Sequence, residues 1–492
     1  MTIPREIRRV AVIGAGPAGL SAVKYLLAEN YFEKIDVFEK RSSVGGVWNY
    51  TPGALKQGLP TPVPQLDPNF AVEKPTWQPV DGADETEAVF ISPIYRTLDT
   101  NIPKELMAYG EKQFPSKSQV LPPFWVVKQY LEEYAADIRD LINFETEVVD
   151  ARQNPPPVGG WRITTRNLRT DTTVTNSYDA VVAASGHFDI PYMPDISGIK
   201  QWNEHFPGII CHSRLFDSPE GFRGKKVVVV GSSASAVDIG NQINAVSKGR
   251  VLVSQRRKSY LMTNDAVRAT DPMEFPEIVE FLPPSQHDRA IRFEDGRVET
   301  EIDSIVFCTG YLYSFPYLSC LDPPIITDGR RVLNTYQHLF YIYNTSLVFP
   351  VLTQRVIPFP LAENQAAVFA RVWAGRLRLP PVSEMKAWED ATAIEKGNGT
   401  SFHLLPFPLD ANYMNLLYDW AKAADSRPSL INHGNGKEGN HWGERAKWMR
   451  SLFPNIRQTF MDMGEARHGV TSLKQLGYDF EAWKERQKQD AS

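Results

Sequence analysis

A strand–turn–helix pattern near the N-terminus constrains this chain more than any other feature. Residues 10–13 read Val-Ala-Val-Ile and predict a buried strand, and apolar residues with helical spacing begin at Leu20. Between them lie Gly14, Gly16 and Gly19, spaced as Gly-x-Gly-x-x-Gly. These glycines permit a tight turn, a close approach of the backbone to a pyrophosphate, and close packing of the helix on the strand. The pattern therefore predicts a dinucleotide site.

A second strand sharpens this interpretation. Residues 35–38 read Ile-Asp-Val-Phe and are followed by Glu39. An acid at this place accepts hydrogen bonds from the hydroxyl groups of an adenosine ribose, while the helix N-terminus receives the phosphates. Because an acid suits an unphosphorylated ribose, the first site is predicted to hold FAD.

A degenerate copy of the pattern occurs in the middle of the chain. Four valines at 227–230 are followed by Gly231, Ser233 and Ala236, with Ser233 in place of the middle glycine. The next strand is followed by Arg256 and Arg257 rather than by an acid. Arginine suits the 2′-phosphate of NADPH, although a solvated arginine pair is an open alternative.

Length and composition exclude several classes of protein. With 492 residues the chain exceeds the about 250–300 residues at which a single core stops growing, which predicts two domains. The net charge of −5 and the lack of a basic stripe argue against a nucleic-acid partner. Cys211, Cys308 and Cys320 form no Cys-x-x-Cys pair, which excludes a reductase dithiol and a zinc cluster. No apolar run approaches a membrane span of about 18 residues, so we expect a cytoplasmic protein without a membrane partner.

Buried strands that end in small residues flank the second fingerprint, at 178–187 and 302–311. They predict an α/β fold with two Rossmann-like nucleotide-binding domains, the NADPH domain inserted into the FAD domain. The predicted bounds are 1–187 (FAD domain, first part), 188–304 (NADPH domain), 305–450 (FAD domain, second part) and 451–492 (C-terminal extension).

Local patterns predict several further elements. The proline-rich stretch 52–93, which includes Pro60, is predicted to be a long surface loop without helix or central strand. Helical spacing covers 124–141 and 362–376, and three strand-like runs predict a small antiparallel sheet, at 145–151, 161–165 and 174–178.

Two short segments carry candidate ligand contacts. The paired glycines Gly45 and Gly46 precede Val47 and Trp48, so the backbone could run against a flat ring system; an ordinary turn with a core tryptophan is the alternative. Asn101 stands two residues before a proline, where its amide could face a ligand or simply form a turn.

Residues 206–216 read Phe-Pro-Gly-Ile-Ile-Cys-His-Ser-Arg-Leu-Phe and resemble the identifying pattern of the flavin-containing monooxygenases, Phe-x-Gly-x-x-x-His-x-x-x-Phe/Tyr. Segments 45–48, 98–103 and 308–311, and Ser235 with Asp238, are similar to further segments of this family. The resemblance runs from residue 8 to about residue 450. It points to the soluble fungal members, which lack the C-terminal membrane segment of the mammalian ones.

The resemblance implies an enzyme that uses FAD, NADPH and O2. NADPH would reduce the flavin, the reduced flavin would add O2 to form a C4a-hydroperoxyflavin, and a soft sulfur or nitrogen nucleophile would take the distal oxygen. Asn101 is implied as the catalytic residue, placed to hydrogen-bond the peroxide or the nicotinamide. The implied FAD contacts are Gly14, Gly16, Gly19, Glu39, Arg41, Gly46, Val47, Trp48, Thr100, Thr309 and Gly310. The implied NADPH contacts are Gly231, Ser233, Ser235, Ala236, Gln255, Arg256, Arg257 and His212.

Two alternatives stay open at this point. The related Baeyer–Villiger enzymes carry a tryptophan where this chain has Phe216, which makes that branch the weaker interpretation. A protein that binds FAD and NADPH without turnover is the other, and the Ser233 substitution is its only support. The expected partners are a small nucleophilic substrate and O2; the oligomeric state is open, with a homodimer as one option.

Overall fold

The computed structural model describes residues 6–57, 59, 62–70, 73–80, 82, 84–155, 158–257 and 271–490. The strands within these residues are β1 (Arg9–Ile13), β2 (Lys34–Phe38), β3 (Thr76–Pro79), β4 (Thr86–Val89), β5 (Ile142–Asn143), β6 (Thr146–Gln153), β7 (Trp161–Asn167), β8 (Thr173–Tyr178), β9 (Ala180–Ala183), β10 (Ile190–Pro191), β11 (Ile210–His212), β12 (Val227–Val230), β13 (Leu252–Ser254), β14 (Met273–Phe275), β15 (Ile278–Phe281), β16 (Ile291–Phe293), β17 (Val298–Glu299), β18 (Ser304–Phe307), β19 (Tyr311–Leu312), β20 (Thr335–Tyr336), β21 (Phe340–Tyr341) and β22 (Leu347–Val348). The α-helices are α1 (Pro17–Ala28), α2 (Gly53–Lys56), α3 (Lys104–Met107), α4 (Phe124–Tyr134), α5 (Ile199–His205), α6 (Ala234–Asn244), α7 (Pro358–Trp373), α8 (Val382–Lys396), α9 (Leu409–Lys422), α10 (Glu444–Ser451), α11 (Phe453–Asp462) and α12 (Phe480–Asp490).

The first fingerprint lies at the centre of a seven-stranded sheet with the order β20-β21-β22-β9-β1-β2-β5. β1 pairs in parallel with β2 on one side and β9 on the other. Val10, Ala11 and Val12 are fully buried because both faces of a central parallel strand are covered. On one face, α1 packs against α7. The strand and helix predicted from the glycine pattern are thus confirmed.

The second fingerprint lies in a separate parallel sheet with the order β11-β18-β12-β13-β14. The chain enters this sheet after β9 and later returns to the first sheet, where β22 pairs with β9. The predicted insertion of one nucleotide-binding domain into the other is therefore confirmed. The predicted boundary at residue 304 needs correction, because β18 is hydrogen-bonded to β11 and β12 and keeps the chain in the second sheet to Phe307.

The predicted antiparallel excursion is a three-stranded sheet, β6-β7-β8. Trp161 and Ile163 of β7 are fully buried beneath the first sheet. The predicted helices are present with different bounds. α4 ends at Tyr134, and a separate 3-10 turn follows at Arg139–Leu141, while α7 begins at Pro358 because proline is favourable in a first helical turn.

The prediction of a loop without helix across 52–93 was wrong. The segment contains the four-residue helix α2 and the hairpin β3–β4, while Pro60 lies outside the described residues. Pro52 precedes α2 as its N-cap, where the missing N–H removes no helical hydrogen bond. The segment is also anchored: the buried Lys56 ammonium donates to the carbonyls of Ile94 (2.6 Å) and Phe216 (3.2 Å).

The C-terminal extension packs back onto the first domain. Ile456, Phe460, Leu473 and Leu476 are buried in the same apolar cluster as β1 and α1. The Val470 carbonyl accepts a 2.8 Å hydrogen bond from the backbone N–H of Val120. Across the part of the chain that the structure describes, we find no helix with the length and apolarity of a membrane span.

Candidate active site

Two of the three N-terminal glycines are required by the protein itself. Gly14 has φ +102°, and a Cβ there would lie 2.6 Å from the Ala184 carbonyl oxygen. A Cβ on Gly19 would lie 1.9 Å from the Gly14 carbonyl oxygen. Both distances are far below contact distance. These two glycines therefore close the turn and seat α1 on the strand, as predicted.

Gly16 is different, because the protein leaves room beside it. A Cβ at Gly16 would lie 3.6 Å from the Cα of Gly46, an ordinary contact. Gly16 is also the N-cap of α1, and no side chain caps this helix. The N–H groups of a first helical turn need acceptors, and an anion provides them. The open space and the uncapped helix fit the pyrophosphate of a dinucleotide, and the contact of Gly16 with FAD stays a prediction.

Glu39 is buried at the predicted ribose position. Its carboxylate accepts hydrogen bonds from the backbone N–H groups of Ala15 (2.8 Å) and Arg41 (2.9 Å), one to each oxygen. A carboxylate has about four acceptor sites, so capacity remains for ribose hydroxyls. The Arg41 guanidinium donates to the Phe90 carbonyl (2.7 Å), and burial lowers its pKa, while its contact with FAD stays a prediction. Arg41 therefore holds the backbone at Phe90 against this part of the site.

The second glycine pair lies directly against the first turn. Gly45 has φ +108°, and its N–H donates to the Ala15 carbonyl (2.9 Å). Gly46 begins a 3-10 turn that ends at Trp48, and the Val47 carbonyl accepts a hydrogen bond from a serine hydroxyl. The half-buried Trp48 ring packs edge-to-face on Phe359, 6.3 Å between centroids. The two glycine turns thus form one continuous backbone wall.

A further open backbone position follows β18. Gly310 has φ +84°, and no atom lies within 4 Å of the point that a Cβ would occupy. The neighbouring Thr309 hydroxyl donates to the Tyr192 carbonyl, and the Tyr192 N–H donates to the Gly310 carbonyl (2.9 Å). The Thr100 hydroxyl similarly donates to the Ile102 carbonyl (3.1 Å). Their predicted contacts with FAD stay predictions.

His212 is a fully buried strut beneath this loop. Its Nδ1 accepts from the Arg214 N–H (3.1 Å), so Nε2 carries the proton and donates to the Gly310 carbonyl (3.0 Å). Burial lowers the pKa of His212 to about 3, which keeps the imidazole neutral. Both ring nitrogens are used by the chain itself. His212 positions Gly310, and its implied contact with NADPH stays a prediction.

The substitution His212→Gln tests this strut. Glutamine keeps a donor for Gly310 but cannot be protonated. The unfolded histidine, with a pKa near 6.5, binds its proton at higher pH than the folded one, so its contribution to stability is lost as the pH falls from about 6.5 toward 3. We expect the variant to lose about 1–3 kcal/mol at neutral pH. Between about pH 6 and 5, the free energy of unfolding of the variant should fall less steeply with falling pH than that of the wild type. The difference in slope should reach up to about 1.4 kcal/mol per pH unit. Urea unfolding across this range measures both, and an unchanged slope would contradict the strut.

The second fingerprint has the same construction as the first. Gly231 has φ +135°, and a Cβ there would lie 2.5 Å from the Cys308 carbonyl oxygen. The helix α6 begins after Ser233, and its N-terminus is also uncapped by a side chain. Ser233 and Ser235 are exposed. An adjacent groove is lined by Gly231, Ala236, Val237, Gly240, Asn241, Val253, Gln255, Pro272 and Glu274.

The two arginines follow Gln255, which lines this groove. Arg256 and Arg257 follow β13 and are exposed, and the Arg256 guanidinium forms an ion pair with Glu277. Residues 258–270 lie outside the described part of the chain. The contact of the two arginines with the 2′-phosphate stays a prediction.

Asn101 lies at the junction of the two domains. Its Oδ1 accepts a 2.7 Å hydrogen bond from Nε of Arg457, and Nη2 of Arg457 donates to Asp238 of α6 (3.0 Å). Asp238 also accepts from the Tyr95 hydroxyl and from Gln242 (2.9 Å). Neither Arg457 nor Tyr95 was predicted from the sequence. No local pattern could have identified Arg457, because it is 356 positions from Asn101.

Comparison with known proteins places these features in context. A family model described as flavin-binding monooxygenase-like matches residues 76–275 and 277–433, and an NAD(P)-binding Rossmann-like domain model matches residues 12–53. The chain is 34% identical to "Flavin-containing monooxygenase FMO GS-OX-like 2" of Arabidopsis thaliana, over 85% of each chain. It is 29% identical to "Flavin-containing monooxygenase iboF" of Amanita muscaria, over 86% of this chain and 89% of that one. Among solved structures, S-allyl-L-cysteine S-oxygenase from Allium sativum superposes with a TM-score of 0.74, at 25% identity, over 96% of this chain and 98% of that one.

Proposed function

Because the chain belongs to the flavin-binding monooxygenase-like family, with FAD and NADPH as its cofactors, we propose that it oxygenates soft nucleophiles, sulfur or nitrogen compounds. One atom of O2 forms a bond to the lone pair of the substrate. The second atom leaves as water, after NADPH has supplied two electrons and solvent the second proton. A sulfur substrate is favoured over a nitrogen one, because the Allium relative is named an S-oxygenase.

The observation that carries this proposal is the position of Asn101. Its segment packs on the first domain, where the Thr100 N–H donates to the Pro122 carbonyl (2.9 Å). Through Arg457, the same residue is joined to Asp238 on the coenzyme-binding helix α6. An amide at this junction stands between the two nucleotide units. An amide in this place can hydrogen-bond groups that react between the flavin and the nicotinamide.

When bound, the flavin supplies the redox and oxygen-transfer chemistry that the resemblance implies. The chain's own residues bind and orient the cofactors and exclude water. The uncapped N-terminus of α1 would receive the pyrophosphate beside Gly16, and Glu39 would accept from the ribose. Asn101 would donate a hydrogen bond from its amide to the reacting groups. With this division of labour, the chain needs no acid–base triad of its own.

Asn101→Ala is expected to separate cofactor reduction from oxygen transfer. The variant should still bind FAD and oxidise NADPH. It should form less oxygenated product and more H2O2 per NADPH, because one buried hydrogen bond, about 1–3 kcal/mol, is lost on the oxygen-transfer branch. Product and peroxide are measured against NADPH consumed, with a sulfide and an amine as substrates.

Asn154→Ala is the matched control for this experiment. Asn154 closes a surface turn by donating to the Gly159 carbonyl (3.0 Å), far along the chain from either fingerprint. Its replacement should change stability only. Unchanged coupling in Asn101→Ala, together with a lower melting temperature, would assign Asn101 the turn-forming role that its sequence context favours.

The alternatives give different signals in one assay. Stopped-flow spectra are recorded after NADPH-reduced enzyme is mixed with O2, with and without sulfides, amines and a cyclic ketone. A protein that only binds nucleotides would show a flavin that NADPH fails to bleach. A Baeyer–Villiger enzyme would form a lactone or ester from the ketone. We expect bleaching, reoxidation and a sulfoxide product.

A further inference from the structure

We infer that the C-terminal extension contributes a positioning residue, Arg457, which fixes the direction of the Asn101 amide and ties it to the coenzyme-binding helix α6. This inference rests on the proposed function. Arg457 lies on α11, beyond residue 433, where the match to the family model ends. The extension therefore packs on the apolar core of the first domain and also contributes the Arg457 side chain to the reaction centre.

The guanidinium of Arg457 joins the Asn101 amide to Asp238 of α6. Only 4% of its side chain is exposed, and it donates to Asn101 and to Asp238 from adjacent nitrogens. A guanidinium is planar, and its donors stand in a fixed fork. Two bonds from one fork therefore fix the separation and relative direction of the Asn101 amide and the Asp238 carboxylate.

The contact also determines which end of the Asn101 amide is free. Arginine has only donors, so the atom 2.7 Å from its Nε must be the amide oxygen. The amide NH2 group consequently points away from Arg457. Toward any group on that side Asn101 acts as a hydrogen-bond donor, which suits a carbonyl or another oxygen acceptor.

Asp238 serves as the anchor of this arrangement. One of its oxygens accepts from Arg457, and the other accepts from the Tyr95 hydroxyl and from Gln242. Only 12% of the Asp238 side chain is exposed. A buried carboxylate with these partners holds the guanidinium in place by charge and by hydrogen bonding. Asp238 itself thus acts on the reaction through Arg457.

The extension holds the Asn101 segment at a second point. Arg467 pairs with Asp99 (3.3 Å), and Asp99 accepts from Gln119 (2.6 Å). His468 lies 3.2 Å from the same glutamine amide. These contacts stabilise the segment from the side of the extension. Arg457 is set apart from them because it alone of these side chains contacts the Asn101 amide.

The test is the pair Arg457→Met and Arg457→Lys in the FAD-loaded enzyme. Arg457→Met preserves side-chain bulk without charge or donors. We expect about a tenfold fall in the ratio of oxygenated product to H2O2, the effect of losing one charge-assisted hydrogen bond. Because α6 shares the same guanidinium, the Kd for NADP+, measured from the flavin absorbance change, should also rise. Lysine keeps the charge but not the fork, so it should restore part of both.

Arg450→Met is the matched control. Arg450 lies on α10 and forms a similarly buried pair with Asp410 (2.6 Å), without contact to Asn101 or α6. It should lower the melting temperature and leave coupling and the Kd for NADP+ as in wild type. The double variant of Arg457→Met and Asn101→Ala should be no more uncoupled than Asn101→Ala alone. Both substitutions remove the same hydrogen bond, and Arg457 acts on coupling through the Asn101 amide.

The outcomes separate this inference from the proposed function. Normal coupling and normal NADP+ affinity in Arg457→Met, with only a lower melting temperature, would overturn the inference. Additive uncoupling in the double variant would also overturn it. If Arg457→Met fails to fold, Arg457→Lys carries the comparison. A wild-type enzyme that oxygenates no sulfide or amine would overturn the proposed function, and the NADP+ titrations would still decide whether Arg457 positions the coenzyme helix.

Discussion

Gly16→Val is expected to fold and to purify nearly free of FAD. The protein accommodates a Cβ at Gly16, whose nearest neighbour would be the Cα of Gly46 at 3.6 Å. The branched side chain would instead occupy the space at the uncapped N-terminus of α1, where the pyrophosphate must approach. Steric overlap of this kind costs roughly 1–3 kcal/mol or more, so flavin content should fall below about a tenth of the wild-type value. The ratio of flavin to protein absorbance measures it.

Two further glycine variants make this result interpretable. Gly399→Val places the same side chain where no atom lies within 4 Å of a Cβ, so flavin content should stay at the wild-type level. Gly19→Ala should fail to fold, because its Cβ would lie 1.9 Å from a carbonyl oxygen. Full and tightly held FAD in Gly16→Val would remove the assignment of the first site.

Replacing both Arg256 and Arg257 by alanine is expected to remove the preference for NADPH over NADH. A charge-assisted hydrogen bond contributes about 1.5–3 kcal/mol, so losing one predicts a roughly 10- to 150-fold loss of preference. The KM for NADPH should rise much more than that for NADH. Arg256 is paired with Glu277 at the surface. An exposed pair of this kind is worth about 0–1 kcal/mol, so the guanidinium is readily available to a phosphate.

The chain offers two controls for the coenzyme experiment. Glu277→Gln releases Arg256 and should raise the preference for NADPH, by up to about fivefold. Alanine at Arg292 and Arg297 removes two exposed, ion-paired arginines of the neighbouring hairpin and should leave the preference unchanged. Equal effects of the double variant on both coenzymes would show that the arginines are solvated, and would leave Gln255 or Ser233 as the discriminating contact.

The features that could be predicted from the sequence are those built from neighbouring residues. In the first fingerprint, strand, turn and helix are contiguous, and Gly19 is demanded by a contact within the motif, with the Gly14 carbonyl oxygen, whereas the contact that demands Gly14 comes from Ala184, directly after the neighbouring strand β9. The β6-β7-β8 sheet followed from alternation within single strands, for the same reason. Glu39 was identifiable because an acid at the end of β2 needs only its own strand to place it.

Errors arose where a local signal competed with packing. Proline content predicted a plain loop for 52–93, yet α2 formed because Pro52 lies at its N-cap, and the hairpin β3–β4 formed with Pro79 as the last residue of its first strand. Helical spacing carried α4 to residue 141, but the helix ends at Tyr134. The boundary at 304 followed chain order, whereas hydrogen bonds to β11 and β12 assign β18 to the second sheet.

The sequence by itself determined the two nucleotide-binding units, since strand, glycine turn and helix follow one another within about 20 residues of each fingerprint. Only the tertiary structure decided the polar centre between them. His212 became a neutral strut because folding buried it against Gly310, 98 positions away. Asn101 acquired a defined direction because folding brought Arg457 of the extension to it across 356 positions. A hydrogen bond depends on distance in space, and no spacing along the chain encodes a contact that two domains and a C-terminal helix create together.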